Sequence, residues 1–370
     1  MNSIYFVPAS QTENTGDLLI NKVAIQLMGK YGQIILEDNN TDRWFIDELR
    51  GKQDRLLSEV THASLDRHLL SKLARSIFSK NKVYLVLAPG HTSRQGKEGA
   101  DRLRKRSTRL LLFKALGLRI VRVGFSIGPF DDVNMQAEAF HSKVYFFYGV
   151  RDKESVKMAI EGKFKKPQLF PDLAWSYEPP INVSPPDKDQ YIILSFRSNS
   201  YGKVHDERYF QPYVERVKAI LKSFSDLKLR VIISYQVKYD REASFVLQKA
   251  LMEDFDVEVI DRKLLLEEAA GLYNKALFVI SNRLHVLLFA LQCNTISFPL
   301  IDPVDNKKIY HIWKDNQMAE AVMDINEKSE RNVAIMQKGV ADRRFVLDPF
   351  IKARQQNEQL IQKYLSAIFN

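Results

Sequence analysis

The chain is 370 residues long, enough for about two or three domains, and its 45% hydrophobic content supports a substantial core. Fifty-five basic against forty-five acidic residues leave a formal charge of +10. That excess is scattered among many carboxylates, which suits anionic small molecules or a membrane surface at least as well as nucleic acid. The single cysteine, Cys293, excludes an intrachain disulfide and fits a reducing compartment. No stretch approaches about eighteen uncharged apolar residues, so no spanning helix is expected. Residues Met1 to Pro8 carry no basic leader ahead of a long apolar run. The expected location is the cytoplasm, peripheral to the cytoplasmic face of the inner membrane if the basic surface finds lipid.

Ser3 to Val7 reads as a short strand ended by Pro8. Asn14-Thr15-Gly16-Asp17 then opens a helix whose apolar residues, Leu18 to Met28, follow helical spacing. Asn14 or Asp17 can cap this helix, and Gly16 marks the tight point. Amides at its start suit an anion, and an ordinary capped turn explains the same residues. The triple-glycine dinucleotide fingerprint and the P-loop lysine are both missing. Gln33 to Glu37 follows as a strand, Thr61 to Phe78 as a helix and Val83 to Ala88 as an apolar strand. Pro89-Gly90 breaks that strand, and His91 to Lys97 reads as a polar, flexible loop. His91 and Arg94 could face a ligand there, or the loop could be a solvated crossover.

Asp101 to Leu116 is predicted helical and carries Arg102, Arg104, Lys105, Arg106 and Arg109. Such a run suits lipid headgroups or phosphates, or simply a solvated face. No aromatic residues interleave with it, so stacking on nucleic acid gains no support. Leu118 to Val123 reads as a strand leading into a sharp turn, Gly124 to Phe130. A helix near Asp132 to Phe140, a strand from Lys143 to Phe147 and a helix containing Ser155 and Met158 complete the first half. This alternation predicts a parallel sheet covered on both faces.

The proline-rich stretch 177–189 is the best linker in the chain. Beyond it, Gln190 to Phe196 restarts the strand pattern, and Arg197 stands at its carboxyl end ahead of Ser198 to Gly202. A helix at Tyr209 to Phe224 carries Pro212 near its first turn. Strands are predicted at Leu229 to Tyr235 and Val257 to Ile260, with helices at Glu242 to Met252 and Leu264 to Tyr273. An apolar strand at Ala276 to Ile280 ends in Ser281-Asn282-Arg283-Leu284-His285, and an apolar helix starts at Val286. Open α/β sheets bind ligands outside such strand ends. A guanidinium there can fork onto a carboxylate or phosphate, and an imidazole can move a proton. The plainer alternative is a salt bridge at Arg283 and a packed His285. Asn294 to Pro299 is the next strand, followed by helices around Met318 to Met336 and through Leu360 to Ile368. The expected division is residues 1–176, the linker 177–189, residues 190–345, and a terminal helix, 346–370, packing back on the first lobe.

Six motifs in order resemble the polysaccharide pyruvyl transferase family. They are Asn14-Thr15-Gly16-Asp17, Ser126-Ile127-Gly128-Pro129, Val150-Arg151-Asp152 with Ser155, Pro171-Asp172-Leu173, Ser195-Phe196-Arg197 and Ser281-Asn282-Arg283-Leu284-His285. The chain departs from many relatives at Ala88-Pro89-Gly90-His91, where they show a run of glycines. The resemblance implies two Rossmann-like lobes with a central cleft, similar to the GT-B-type glycosyltransferases. It implies transfer of a pyruvyl group from phosphoenolpyruvate to sugar hydroxyls, leaving a ketal and releasing phosphate. Arg197 and Arg283, with Leu284 between the motif's charged residues, are then expected at the donor, and His285 and Asp17 in catalysis. Asn14, Gly16, Ser126, Gly128, His91 and Arg94 are expected to line the cleft.

The expected partners are phosphoenolpyruvate and a sugar or lipid-linked oligosaccharide of a bacterial exopolysaccharide or cell-wall glycan. No cofactor is expected. The dispersed histidines and lone cysteine suggest no metal, and no recognition motif suggests nucleic acid. Two alternatives share the fold: a glycosyltransferase using a nucleotide sugar, and a non-catalytic assembly protein.

Overall fold

Apolar runs that can be buried on both faces become the central strands of two parallel sheets. The computed structural model describes residues 2–8, 12–76, 81–181, 191–199 and 204–370. It resolves into two compact units. Unit 1 comprises Met1–Thr12, Asp17–Leu173 and Asn357–Asn370; unit 2 comprises Glu13–Gly16 and Ala174–Gln356.

Unit 1 contains β1 (Asn2–Val7), β2 (Gly32–Leu36), β3 (Arg55–Leu56), β4 (Val83–Leu87), β5 (Gly90–Arg94), β6 (Arg119–Phe130), β7 (Phe147–Val150) and β8 (Pro167–Leu169). Among the described residues these form one sheet in the order β3-β2-β1-β4-β6-β7-β8, with β5 paired to β6. Every residue of β4 is buried, as a central strand covered by helices on both sides requires. The end of the terminal helix, Arg344–Phe369, supplies Phe369 against Tyr84 and Tyr364 against Phe147.

Unit 2 contains β9 (Tyr191–Ser195), β10 (Arg230–Ile233), β11 (Asp256–Val259), β12 (Phe278–Ser281), β13 (Ile296–Ile301) and β14 (Met323–Asp324). Their order is β11-β10-β9-β12-β13-β14. Numbered within the unit this is 3-2-1-4-5-6, the Rossmann arrangement. Strand order reverses between β9 and β12, which pair in parallel with Ser281 opposite Ser195. Both strands are buried along their length.

Four sequence expectations are corrected. The stretch read as a flexible loop holds β5, where His91 pairs opposite Ser126 on β6; its polar composition concealed a strand. The turn read at Gly124 to Phe130 is the continuation of β6. Positive φ at Gly124 and Gly128 lets the strand bend without ending. The strand read at Lys143 to Phe147 begins only at Phe147. Within the helix read at Met318 to Met336, a 3-10 turn and β14 come first, and the helix runs Ser329–Ala341. Phe78, linker residues 182–189, Gln190 and Ser200 to Gly202 lie outside the described residues.

A buried histidine makes unit 1 sensitive to pH. His141 is 3% exposed, and its ring nitrogens meet Ser107 Oγ at 2.8 Å and Tyr145 Oη at 3.0 Å. Burial, with Arg106, Arg122 and Arg94 nearby, pulls its pKa from 6.5 down to about 3. The native state therefore holds His141 neutral while the unfolded chain takes up a proton between those values. Its contribution is present above about pH 6.5 and is lost as pH falls toward 3. Acidification from about pH 7 to about pH 5 should cost the wild type roughly 2 kcal/mol more than His141→Gln, measured by urea unfolding. Parallel losses in the two proteins would contradict this assignment.

Candidate active site

The carboxyl ends of β9, β10 and β12 gather the polar groups of unit 2. Arg197 follows β9 by two residues, and Arg283 follows β12 by two. Because these strands are neighbours, the two arginines stand at adjacent strand ends. Asn282 fixes their register. Its Oδ1 accepts from the Arg197 backbone N–H at 2.6 Å, and its Nδ2 donates to the Arg197 carbonyl at 3.0 Å. Ser281, fully buried, donates to the Ser195 carbonyl and accepts from the Arg283 N–H at 2.9 Å. The two motif segments are thus stitched together by side chain–backbone bonds, each satisfying a buried group that would otherwise cost free energy.

Arg283 pairs with Asp240, which lies beyond β10, and its guanidinium sits 5.5 Å from the centre of the Tyr239 ring. The Arg283 and Asp240 side chains are only 14% and 1% exposed. Among the described residues Arg283 Nε and Asp240 Oδ1 have no hydrogen-bond partner. Arg197 is half-buried, and its Nε donates to Asn199 Oδ1 at 2.9 Å.

The titration shifts follow from this crowding. Burial, and next the charge of Arg283, pull Arg197 down. Burial pushes the Asp240 carboxyl up, while Arg283 and Arg197 draw it back. Burial also opposes the Arg283 charge, but Asp240 and Tyr239 outweigh it and leave Arg283 raised. Two cations share one carboxylate in a low-dielectric setting, so an arriving anion relieves their repulsion.

The Asn14–Gly16 turn belongs to the same unit. Asn14 Oδ1 accepts from the Gly16 N–H at 2.9 Å. Thr15 N–H donates to the Gln236 carbonyl at 3.3 Å, and Thr15 Oγ1 to the Leu264 carbonyl at 3.1 Å. Gly16 rests on His285: a Cβ there would lie 2.6 Å from His285 Nδ1 and 2.9 Å from its Cβ. Glycine is required by this close approach. Leu284 and His285, both half-buried, begin the helix Leu284–Gln292. Its first amides have no intrahelical acceptor and carry the positive end of the helix dipole.

Unit 2 therefore brings together Asn14, Gly16, Arg197, Arg283, Leu284 and His285. The remaining candidates belong to unit 1. Asp17 is in the first turn of the helix Thr15–Gly29, where its carbonyl accepts from Asn21 Nδ2 at 2.7 Å. His91 is exposed on β5, and Arg94 Nε donates to the buried Glu138 carboxylate at 2.8 Å.

Ser126 and Gly128, expected to line a cleft, are buried within unit 1. Ser126 is wholly buried, donates to Asp152 Oδ2 at 2.7 Å and accepts from Arg151 Nε at 2.7 Å. Arg151 also pairs with Asp172 at 2.6 Å, and Ser155 Oγ donates to Asp152 Oδ2 at 2.9 Å. Three of the sequence motifs are thereby absorbed in one internal network. A Cβ on Gly128, where φ is +85°, would meet Met158 Sδ at 2.6 Å.

Sequence reasoning missed Asp240 and gave Asn282 no role. Asp240 is separated from Arg283 by 43 residues and is found only through sheet order. Asn282 lay inside a quoted motif, and its position immediately past a buried strand was the available signal.

The family model for polysaccharide pyruvyl transferases matches residues 14–301. The chain belongs to the polysaccharide pyruvyl transferase family. The six motifs lie inside the matched span. No curated protein matches this family member. Among solved structures it is similar to UDP-GlcNAc 2-epimerases from Neisseria meningitidis and Methanocaldococcus jannaschii. The first is 9% identical, with a TM-score of 0.55 over 98% of this chain and 100% of that one. The second is 15% identical, with a TM-score of 0.55 over 98% and 99%. It is also similar to an O-GlcNAc transferase mutant from Thermobaculum terrenum, at 13% identity and TM-score 0.52. There the match covers 99% of this chain but 66% of the transferase. These likenesses establish a fold of two Rossmann-type units, the GT-B type, for this transferase family member.

Gly16→Ala should force the His285 ring to move and lower stability by about 1–3 kcal/mol. Urea unfolding checks it, and an unchanged midpoint would contradict the close packing of Gly16 on His285.

Proposed function

We propose that the chain transfers the pyruvyl group of phosphoenolpyruvate to two hydroxyls of a sugar in an exopolysaccharide or cell-wall glycan precursor. The observation that carries this reading is the pair of guanidinium groups, Arg197 and Arg283, at the strand-order reversal of unit 2 beside His285. Phosphoenolpyruvate presents a carboxylate and a phosphate a few bonds apart. Two adjacent arginines and the amides of a helix start suit that dianionic head.

The chemistry balances without a cofactor. A proton adds to the methylene carbon, making it a methyl group and leaving an oxocarbenium-like carbon that one sugar hydroxyl attacks. The carbon–oxygen bond to phosphate then breaks, and a second hydroxyl closes the ketal. Of the two protons released by the hydroxyls, one replaces that given to the methylene and the other leaves with phosphate. His285 is assigned the proton delivery, and Arg197 and Arg283 the neutralisation of the donor.

His285→Ala should keep the fold and lose at least ~100-fold in turnover, from the usual worth of a positioned proton transfer. Turnover is read as phosphate released from phosphoenolpyruvate across a panel of sugar acceptors, with mass analysis for the added pyruvyl group. A folded variant with wild-type turnover removes His285 from the mechanism. Consumption of a nucleotide sugar in place of phosphoenolpyruvate would establish the glycosyltransferase alternative. Arg197→Gln should weaken phosphoenolpyruvate binding by roughly tenfold or more, since a charge-assisted hydrogen bond is lost. An unchanged calorimetric titration would reject that contact.

A further inference from the structure

One surface of unit 1 combines cations with exposed large apolar side chains. The helix Lys97–Ala115 is amphipathic: Leu103, Leu110 and Phe113 are buried on its inner side. Arg102, Lys105, Arg109, Leu112 and, just past its end, Leu116 are exposed. Their spacing of three, four, three and four residues places them in one stripe along the solvent face. The stripe is basic for its first part and apolar for its last. Leu112 is 60% exposed and Leu116 47%.

The same end of the helix carries an aromatic residue. Lys114 Nζ donates to the carbonyls of Lys143 and Tyr145 at 2.6 and 2.8 Å, and Phe146 is the next residue in the chain. Phe146 is 47% exposed, with the Arg119 guanidinium 4.8 Å from its ring centre. Leu112 and Leu116 in water are not explained by the core they sit above.

Among the described residues, acids meet two of the stripe's three cations and leave Lys105. Glu98 reaches Arg102 at 3.8 Å, and Asp66, from the neighbouring helix Leu65–Ser76, pairs with Arg109 at 2.7 Å. Lys105 and the adjoining Arg106 make no ion pair among the described residues. A surface of this kind matches an anionic bilayer: cations sit at the headgroups while leucine and phenylalanine enter the acyl boundary. A protein groove would have to supply both a carboxylate row and an apolar socket in that order, whereas a lipid surface supplies both everywhere.

We propose that this face of unit 1 docks on an anionic lipid bilayer surface. The inference is independent of the donor assignment in unit 2. No helix among the described residues is long and apolar enough to cross a membrane.

The test is co-sedimentation of the full chain with vesicles of phosphatidylcholine alone and of phosphatidylcholine mixed with phosphatidylglycerol. Binding is expected to the mixed vesicles, to weaken with added salt, and to be slight on phosphatidylcholine alone. The exposed double variant R102Q/K105Q should lower partitioning by about twentyfold. L112S/L116S should lower it by at least about tenfold, with both melting temperatures unchanged. No sedimentation with the mixed vesicles, or binding that neither variant alters, would overturn the proposal. So would a wild-type dimer that L112S/L116S dissociates while neither form binds vesicles, because a second copy would then cover this face.

Discussion

The candidate site depends on one constraint: two positive side chains are held at neighbouring strand ends, and one of them, Arg283, pairs with the buried Asp240. Arg197 and Arg283 repel each other, and Tyr239 and Asp240 offset that repulsion. Left free, side chains this long would swing apart into water. The Asn282 amide holds the Arg197 backbone from both sides, and Ser281 ties the two strand ends together. The sheet therefore keeps a charge arrangement that is unfavourable alone and becomes favourable when an anion arrives. The cost of assembling the charges is met on folding.

Topology explains why these residues, far apart in sequence, meet. In the Rossmann order the first and fourth strands lie side by side and their following loops diverge, which opens a ligand position at their carboxyl ends. Unit 2 fills that position with Arg197, Arg283 and His285, then seats the Asn14–Gly16 turn against His285. The motifs of unit 1 serve another purpose. Ser126, Arg151, Asp152, Ser155 and Asp172 satisfy one another in the interior, so their part is to hold β6, β7 and the helix Lys153–Glu161 in place. A buried network of this kind costs most when one member is removed, since its partner is left charged and dry.

The legible part of the fold was the part with simple burial. Val83 to Leu87, Tyr191 to Leu194 and Phe278 to Ile280 lie in runs that read as strands because both faces are covered and their composition is apolar. Gly90 to Arg94 did not, because His91 to Arg94 are all polar and glycine opens β5. Likewise Gly124, Gly128 and Pro129 resemble a turn locally, and only pairing with β5 and β7 shows that β6 continues through them. The arginines after the strand ends were visible as candidates, whereas their adjacency is a property of strand order. Asp240 carried no local mark of its partnership with Arg283. Ser126 and Gly128 belong to a family motif, and membership alone did not reveal that they are buried.

The central claim is that the strand ends of β9 and β12 form the donor site. It is tested most directly by an experimental structure of the chain with phosphoenolpyruvate bound. The account predicts its carboxylate and phosphate within hydrogen-bond reach of the Arg197 and Arg283 guanidinium groups, with His285 near the methylene carbon. Phosphoenolpyruvate bound away from those three side chains, or a guanidinium pair that turns aside from it, would contradict the account.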